Sequence, residues 1–297
     1  MRERLVQLRN GRAGAYAVAL FRRAQFEAAR RSGAVTFDID GRMGMGAVLT
    51  HMTLVLALAD RLQVRAAVRC TNRLYASTPG EDWFPRLFER VDPVPDTGRR
   101  IAIRNDVEQE MLGSPWGMSL TEGLATFSRH IRFVPFLHDE AAAVLAPLSG
   151  LDPLGVHYRG TDKHSEALLV ERSSAVAKVV RRVERGGHHA IFLATDVPAF
   201  GRELRATLPE LPIVSYERPE LTVVEGQPIH FSDADGYWKG VDALVNILAL
   251  ARCGAVVRTA SFLSGWAKVL NPAQRVLMLN QPYSDVRFPD ALIRSDL

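Results

Sequence analysis

Short runs of apolar, often β-branched residues alternate along the chain with longer segments in which apolar residues recur at helical spacing. The short runs predict strands at residues 35–39, 64–70, 156–158, 191–194, 213–215, 255–258 and 276–279. The longer segments predict helices at about 44–62, 167–185, 198–208 and 239–253. Alternation of strands and helices is typical of parallel, doubly wound sheets, so the pattern predicts an α/β fold.

The length of 297 residues suggests two domains. The segment 89–117 lacks periodicity and is rich in Pro, Asp and Gly, which predicts an irregular region. A second break falls at 146–153, and we place the domain boundary there, between residues 1–150 and residues 151–297. In such folds ligands bind at the carboxyl ends of the strands.

Charge is concentrated at the N-terminus. Residues 1–31 carry a net charge of +6 out of a total of +4, so the other 266 residues sum to −2. This distribution argues against a nucleic-acid partner, which needs a spread basic footprint. Two interpretations of residues 1–31 stay open, a helix packed on its own domain and a peripheral helix that contacts a membrane surface.

The bulk composition favours a soluble protein of the cytoplasm. Cys70 and Cys253 are too few for a disulfide framework or a zinc pattern. No signal-peptide pattern is visible at the N-terminus. The longest stretch without a charged residue, 43–59, contains glycine, histidine and threonine, which favours a buried helix over a membrane span.

A glycine loop, Gly41-Arg-Met-Gly-Met-Gly46, lies between the first predicted strand and the first predicted helix. Glycines let a backbone approach a ligand closely, and a helix N-terminus attracts anions. The spacing matches neither a Rossmann fingerprint nor a P-loop. A binding loop that uses Gly44 and Gly46 and a tight structural turn therefore both stay open.

The segment Gly155-Val-His-Tyr-Arg-Gly-Thr-Asp-Lys163 places five polar residues directly after a predicted strand. Arg159 offers a planar fork of donors that suits phosphate, and Lys163 offers a point charge. A strand-end ion-pair cluster is the alternative, but this crowding favours a site. Three residues further on, Glu166 is a candidate general base or an acidic residue in the first turn of a helix.

Two more strand ends carry polar residues. Thr195 and Asp196 follow the strand at 191–194 and are candidates for binding a ribose or base edge, or for the N-cap of the next helix. Ser261, Phe262 and Ser264 follow the strand at 255–258, where hydroxyl groups at a helix start suit a phosphate or cap the helix. Tyr237 and Trp238 are candidates for stacking on a base, with core packing as the alternative.

Taken together, the segments GVHYRGTDK, IFLATD and LALARCGAVVRTASFLSGWAK, over residues 155–272, resemble the GDP-fucose-dependent fucosyltransferase superfamily. That group includes α-1,6-fucosyltransferases and protein O-fucosyltransferases. The glycine loop and its helix are similar to the acceptor-side loop of the latter. The resemblance implies a GT-B fold of two Rossmann-like domains facing across a cleft, with acceptor on residues 1–150 and donor on 151–297, and a C-terminal tail that can return to the first domain.

The resemblance further implies an inverting, metal-independent transfer of L-fucose from GDP-β-L-fucose to a small glycan, glycolipid or natural product. Arg159 would contact the diphosphate, and Lys163 would lie near the reacting centre with Glu166 as base. The expected donor-binding residues are His157, Thr161, Asp162, Thr195, Asp196, Asp242, Asn246, Ser261, Phe262 and Ser264.

Three positions depart from the family pattern. Glu166 follows Lys163 by three residues instead of four, and Gly160 replaces a second arginine. Asn246 stands where the α-1,6 enzymes have an aspartate, which Asp242 would replace from one helical turn earlier. Another nucleotide-sugar donor and a non-catalytic homologue therefore remain as alternatives.

Overall fold

The structure, a computed structural model, describes residues 31–92, 94, 100–103, 118–160, 167–221, 229–283 and 288–297, together with positions 25, 27 and 28. The strands of this part are β1 Ala34–Ile39, β2 Arg65–Cys70, β3 Phe88–Arg90, β4 Arg100–Ile103, β5 Ile131–Phe133, β6 Pro153–Tyr158, β7 Ala190–Thr195, β8 Ile213–Val214, β9 Ala255–Arg258 and β10 Arg275–Met278. The helices are α1 Met45–Leu62, α2 Phe84–Leu87, α3 Leu120–His130, α4 Pro135–Leu145, α5 Arg172–Gly186, α6 Pro198–Thr207, α7 Gly236–Arg252 and α8 Phe262–Leu270.

The strands form two parallel sheets and one antiparallel pair. The first sheet has the order β2-β1-β4, and the second has the order β10-β9-β6-β7-β8. Strands β3 and β5 form the antiparallel pair. The predicted α/β fold with parallel sheets is therefore confirmed. The division into two domains at about residue 150 stays a prediction, although the last strand of the first sheet ends at Ile103 and the first strand of the second begins at Pro153.

All seven predicted strands overlap observed ones. Strands β6 and β7 are almost wholly buried, as expected where helices cover both faces of a parallel sheet. The prediction of an irregular region at 89–117 was wrong at Arg100–Ile103, because this short run pairs with β1 and completes the first sheet. The other residues of that region lie mostly outside the described part.

The helix predicted at 167–185 begins five residues later, at Arg172. Its start is set by Glu171, whose carboxylate accepts hydrogen bonds from the amides of Ser173 and Ser174. Ala167 is not helical but forms an isolated bridge with Pro282. A well-formed N-cap therefore decides the boundary that apolar spacing alone leaves open.

Helix α1 is long and apolar enough to cross a membrane by length and composition, but most of it is buried inside the structure. Gly44 is its N-cap, and Gln63 ends it in the left-handed conformation. Its neighbours include α3, α7 and α8. This is the environment of a core helix, which agrees with the interpretation of the uncharged stretch at 43–59.

One large hydrophobic core joins the two sheets through these helices. Trp266 of α8 is fully buried, lies 5.4 Å from the Phe127 ring of α3, and donates its indole N–H to Thr50 Oγ1 of α1 at 2.9 Å. The C-terminal segment packs here too, since the Phe288 ring lies 6.1 Å from Trp266 and contacts Gly123 of α3. The parts of the molecule that carry the two sheets are therefore connected through this core.

Candidate functional site

A cavity of about 960 Å³ opens over the carboxyl ends of β6, β7, β8 and β9. Its walls come from the glycine loop, one face of α6, the segment after β8, one face of α7 and the start of α8. Parallel strands bring their polar carboxyl ends to one edge, so residues far apart in sequence meet here. The cavity is therefore the place where the predicted motifs converge.

Arg159 and Asp196 lie beside each other on this edge, following β6 and β7. Arg159 Nε lies 3.6 Å from Asp196 Oδ2, and the two side chains are only 14% and 12% exposed. The other carboxylate oxygen of Asp196 accepts a hydrogen bond from the Gly160 amide at 3.2 Å. Asp196 thus orients Arg159 and leaves it lining the cavity, where its planar donors suit an anion.

His157 lines the cavity, and a buried hydrogen-bond network holds its ring in place. Its Nδ1 lies 3.0 Å from Ser264 Oγ, which accepts a hydrogen bond from Arg258 Nε at 2.8 Å. Arg258 is fully buried and forms an ion pair with Asp290 of the C-terminal segment. This network fixes the ring position of His157.

Ser264 itself does not line the cavity. It is completely buried and is committed to His157 and Arg258. The predicted donor contact through Ser264 is therefore replaced by a positioning role, because the hydroxyl points into the network behind the ligand wall. Phe262, by contrast, lines the cavity in the first turn of α8.

Ser261 is the N-cap of α8 and lines the cavity, and its side chain makes no capping hydrogen bond. Its buried Oγ has no hydrogen-bond partner among the described residues. A buried hydroxyl without a partner costs free energy, which a ligand oxygen would recover. The start of α8 also carries the positive end of the helix dipole, so this place suits a phosphate.

The Thr195 side chain links β6 to β7 and bonds to the backbone just before the next helix. Its hydroxyl donates to the Tyr158 carbonyl at 2.7 Å and accepts from the Val197 amide at 3.1 Å. The N-cap of α6 is Val197, which corrects the alternative that Thr195 or Asp196 holds that position. Thr195 still lines the cavity.

Asp242 and Asn246 lie one turn apart on the face of α7 that lines the cavity. Asn246 Nδ2 donates to the Asp242 carbonyl at 2.9 Å and to its carboxylate at 3.2 Å. Burial raises the pKa of Asp242 to about 7, against the opposing effects of the Asn246 hydrogen bond and the Arg218 charge. The pair therefore presents hydrogen-bonding groups to the cavity, and the charge of Asp242 depends on pH near neutrality.

The two glycines of the loop have different roles. Gly44 borders the cavity, and beyond its chain neighbours no atom of the described residues lies within 4 Å of where its Cβ would stand. At Gly46 a Cβ would lie 2.5 Å from Leu263 N and 2.5 Å from Phe262 C. Gly46 is therefore needed for the close approach of α1 to the start of α8, and Gly44 leaves room for a ligand.

Four of the predicted site residues lie outside the described part of the chain: Thr161, Asp162, Lys163 and Glu166. The same holds for almost all of residues 1–31. Their predicted roles stay predictions.

Sequence reasoning missed a cluster formed by the segment after β8, α4 and α7. Arg218 donates to Glu140 at 3.1 Å and lies 4.1 Å over the Trp238 ring. Tyr216 donates to Glu140 at 2.7 Å, and burial together with this bond raises the pKa of Tyr216. Neither Trp238 nor Tyr237 lines the cavity, which agrees with the packing interpretation of both.

No group of three or more His, Cys, Asp or Glu side chains suited to hold a metal ion occurs among the residues the structure describes.

No protein-family model matches the sequence, and no curated protein matches it at a significant level. Solved structures do match. The fucosyltransferase NodZ from Bradyrhizobium has a TM-score of 0.58 at 17% identity, over 82% of this chain and 95% of that chain. NodZ α-1,6-fucosyltransferase soaked with GDP-fucose gives 0.58 at 18% identity, over 82% and 94%.

POFUT1 in complex with GDP gives a TM-score of 0.50 at 11% identity, over 83% of this chain and 98% of that chain. At these identities the likeness is one of fold. The chain therefore has the mixed α/β fold with parallel sheets that is found in these fucosyltransferases.

Proposed function

We propose that the protein is an inverting, metal-independent glycosyltransferase that moves L-fucose from GDP-β-L-fucose to a hydroxyl group of a small glycan, glycolipid or natural product. The observation that carries the proposal is the anion-binding edge of the cavity. There Arg159 and the buried, unpartnered hydroxyl of Ser261 at a helix N-terminus lie on neighbouring strand ends. The shared fold with fucosyltransferases supports the same conclusion.

The chemistry follows from what this edge supplies. Transfer of a sugar passes through an oxocarbenium-like state while negative charge grows on the departing diphosphate. Arg159, held by Asp196, and the start of α8 are fixed before the reaction, so they stabilise that charge without reorganisation. We assign Lys163 to the same charge and Glu166 to removal of the acceptor proton.

The proposal divides the chain into an acceptor-side half, 1–150, and a donor-binding half, 151–297. Two Rossmann-like halves facing across the cavity, as in a GT-B enzyme, fit the separate parallel sheets and the presence of the glycine loop in the lining of the same cavity as the strand ends. The free, buried thiols of Cys70 and Cys253 support a reducing, cytoplasmic location.

Binding of nucleotides tests the donor. We expect calorimetry to show binding of GDP in preference to UDP and dTDP, and mass spectrometry to show hydrolysis or transfer of fucose from GDP-fucose. Arg181→Ala, an exposed change on α5, is the matched control for site variants. Tighter binding of UDP or dTDP, or no nucleotide binding at all, would count against the proposal.

The general base is tested separately. Glu166→Gln removes the proton acceptor but not the diphosphate contacts, so we expect GDP affinity to stay and transfer to vanish. Glu184→Gln, on the exposed face of α5, is the control. Transfer that survives in Glu166→Gln would show that the base is another group.

One observation favours a second donor. Both amide hydrogens of Asn246 are donated to Asp242. The surface of α7 that would face the nucleobase is therefore a hydrogen-bonded Asp–Asn pair instead of a single carboxylate. A sugar nucleotide other than GDP-fucose is therefore the alternative, and the same nucleotide panel separates the two.

A further inference from the structure

Lys239 is a buried cation that the proposed reaction does not use. It lies in the first turns of α7, is 7% exposed and lines the cavity. Its Nζ donates to the Ser232 carbonyl at 3.0 Å. An ammonium has three N–H donors, so this bond leaves capacity for a ligand.

No carboxylate oxygen of a described residue lies within 4.0 Å of Lys239 Nζ. Burial lowers the pKa of Lys239, and the charges of Asp233 and Asp235 oppose that effect from a longer distance. A buried charge without an ion-pair partner is costly, and a bound anion would offset that cost. A bound anionic ligand would therefore stabilise the buried charge of Lys239, which the described residues leave without an ion pair.

Lys239 lies on the same face of α7 as Asp242 and Asn246, but at the opposite end of that face. Seven residues of helix separate it from Asn246, which is about 10 Å along the axis. At this end α7 meets the first half of the chain, because a Cβ on Gly240 would lie 2.7 Å from Leu87 Cδ1 and 3.4 Å from Met45 Cε. Lys239 therefore belongs to the wall beside the glycine loop.

A second cation borders the same region. Arg42 of the glycine loop holds its guanidinium 5.0 Å from the centre of the Phe231 ring, and both residues line the cavity. Stacking on an aromatic ring orients a guanidinium and leaves its edge donors available.

We propose that Lys239, with Arg42, forms a subsite for an anionic group on the acceptor: a carboxylate, phosphate or sulfate carried by a sugar. This inference rests on the proposed function, because Arg159 and Ser261 are there assigned to the donor diphosphate. The acceptor class is thus an acidic or phosphorylated glycan.

The test compares charged sugars with a neutral one. Methyl β-D-glucuronide, glucose 6-phosphate and glucose 6-sulfate are titrated against methyl β-D-glucoside by ligand-observed NMR, with and without saturating GDP. We expect at least one charged sugar to bind roughly tenfold more tightly than the glucoside, as for one charge-assisted hydrogen bond. Sodium chloride at matched ionic strength controls for screening.

Variants assign the effect to Lys239. Lys239→Gln should abolish the preference, Lys239→Arg should keep part of it, and both should bind GDP as the wild type does. Lys178→Gln is the control, because Lys178 also donates to a backbone carbonyl but does not line the cavity. Circular dichroism checks that each variant is folded.

Two results would overturn the inference directly: no preference for any charged sugar in the wild type, or a preference that survives in Lys239→Gln. Loss of GDP binding in Lys239→Gln would also overturn it, because it would show that Lys239 contacts the donor. If the wild type binds no GDP, the proposed function fails, while the sugar comparison without GDP still decides on the anionic subsite.

Discussion

Arg159 is the residue on which the proposed transfer depends most. Its guanidinium is oriented by Asp196 and is little exposed, so in the proposed transfer it would meet the leaving diphosphate in a partly desolvated place. We expect Arg159→Ala to lower turnover by at least roughly 100-fold, which is the scale of removing one transition-state donor. Steady-state kinetics with Arg181→Ala as control measures this, and near-wild-type turnover would refute the role.

Asp242 makes folding stability depend on pH. Its pKa is about 7 in the folded protein and 3.8 in its ordinary state. Between these values the folded state holds a proton that the unfolded chain has lost, so the free energy of unfolding falls as pH rises from about 4 to about 7. Asp242→Asn removes the titrating carboxyl group and, with it, this decrease in the free energy of unfolding.

The stability of Asp242→Asn relative to the wild type is therefore expected to increase from pH 4.5 to pH 8 in urea denaturation. Asp139→Asn, an exposed change on α4, is the control. A difference between wild type and Asp242→Asn that is constant over this range would show that Asp242 titrates normally.

At this scale the sequence predicted which strands carry polar residues at or shortly after their carboxyl ends. His157, Arg159, Asp196 and Ser261 meet at the cavity because parallel strands end at one edge, which a strand prediction already implies. It missed Lys239 and the Arg218 cluster. The contact of Arg218 with Glu140 joins positions 78 residues apart, and no local pattern encodes such a pairing.

The contact between helices α1 and α8 depends on the absence of a side chain at Gly46. Gly46→Ala would place a Cβ against the backbone of Phe262 and Leu263, where no side chain can move aside. We expect it to lower the free energy of unfolding by about 3 kcal/mol, the upper end of the cost of overpacking. Because Ser261 adjoins this contact, GDP affinity should fall as well.

Gly44→Ala provides the comparison. It lies two residues earlier in the same loop, with negative φ and open space around its Cβ, so we expect a loss of only about 0.5 kcal/mol from the weaker N-cap. Chemical denaturation of both variants measures the difference. Equal losses would mean that the loop, and not the helix contact, sets the requirement for glycine.

Elements were predictable where the hydrophobic periodicity was strong. Strand β4 was not, because four residues in a polar region become a strand only by pairing with β1. The start of α5 was misplaced because the Glu171 cap outweighs the apolar residues before it. Tertiary pairing and capping geometry account for both errors.

For the whole molecule, the shared core predicts one unfolding transition. Buried residues from both sheets and from α1, α3, α7 and α8 belong to one cluster, and Trp266 bonds directly to Thr50 across it. We expect the calorimetric and van't Hoff enthalpies to agree, as in a two-state protein. Two separate transitions would show that the halves unfold independently despite the common core.

The bond between Trp266 and Thr50 also bears on how ligands are exchanged. Since it fastens the two described walls of the cavity to one interior, swinging one wall away would expose that interior to water. In the proposed function, nucleotide release would then proceed without separation of these walls, past cavity-lining side chains that include Arg42, Phe231 and Arg202. We would accordingly expect substitutions of these lining side chains to change the rate of nucleotide release.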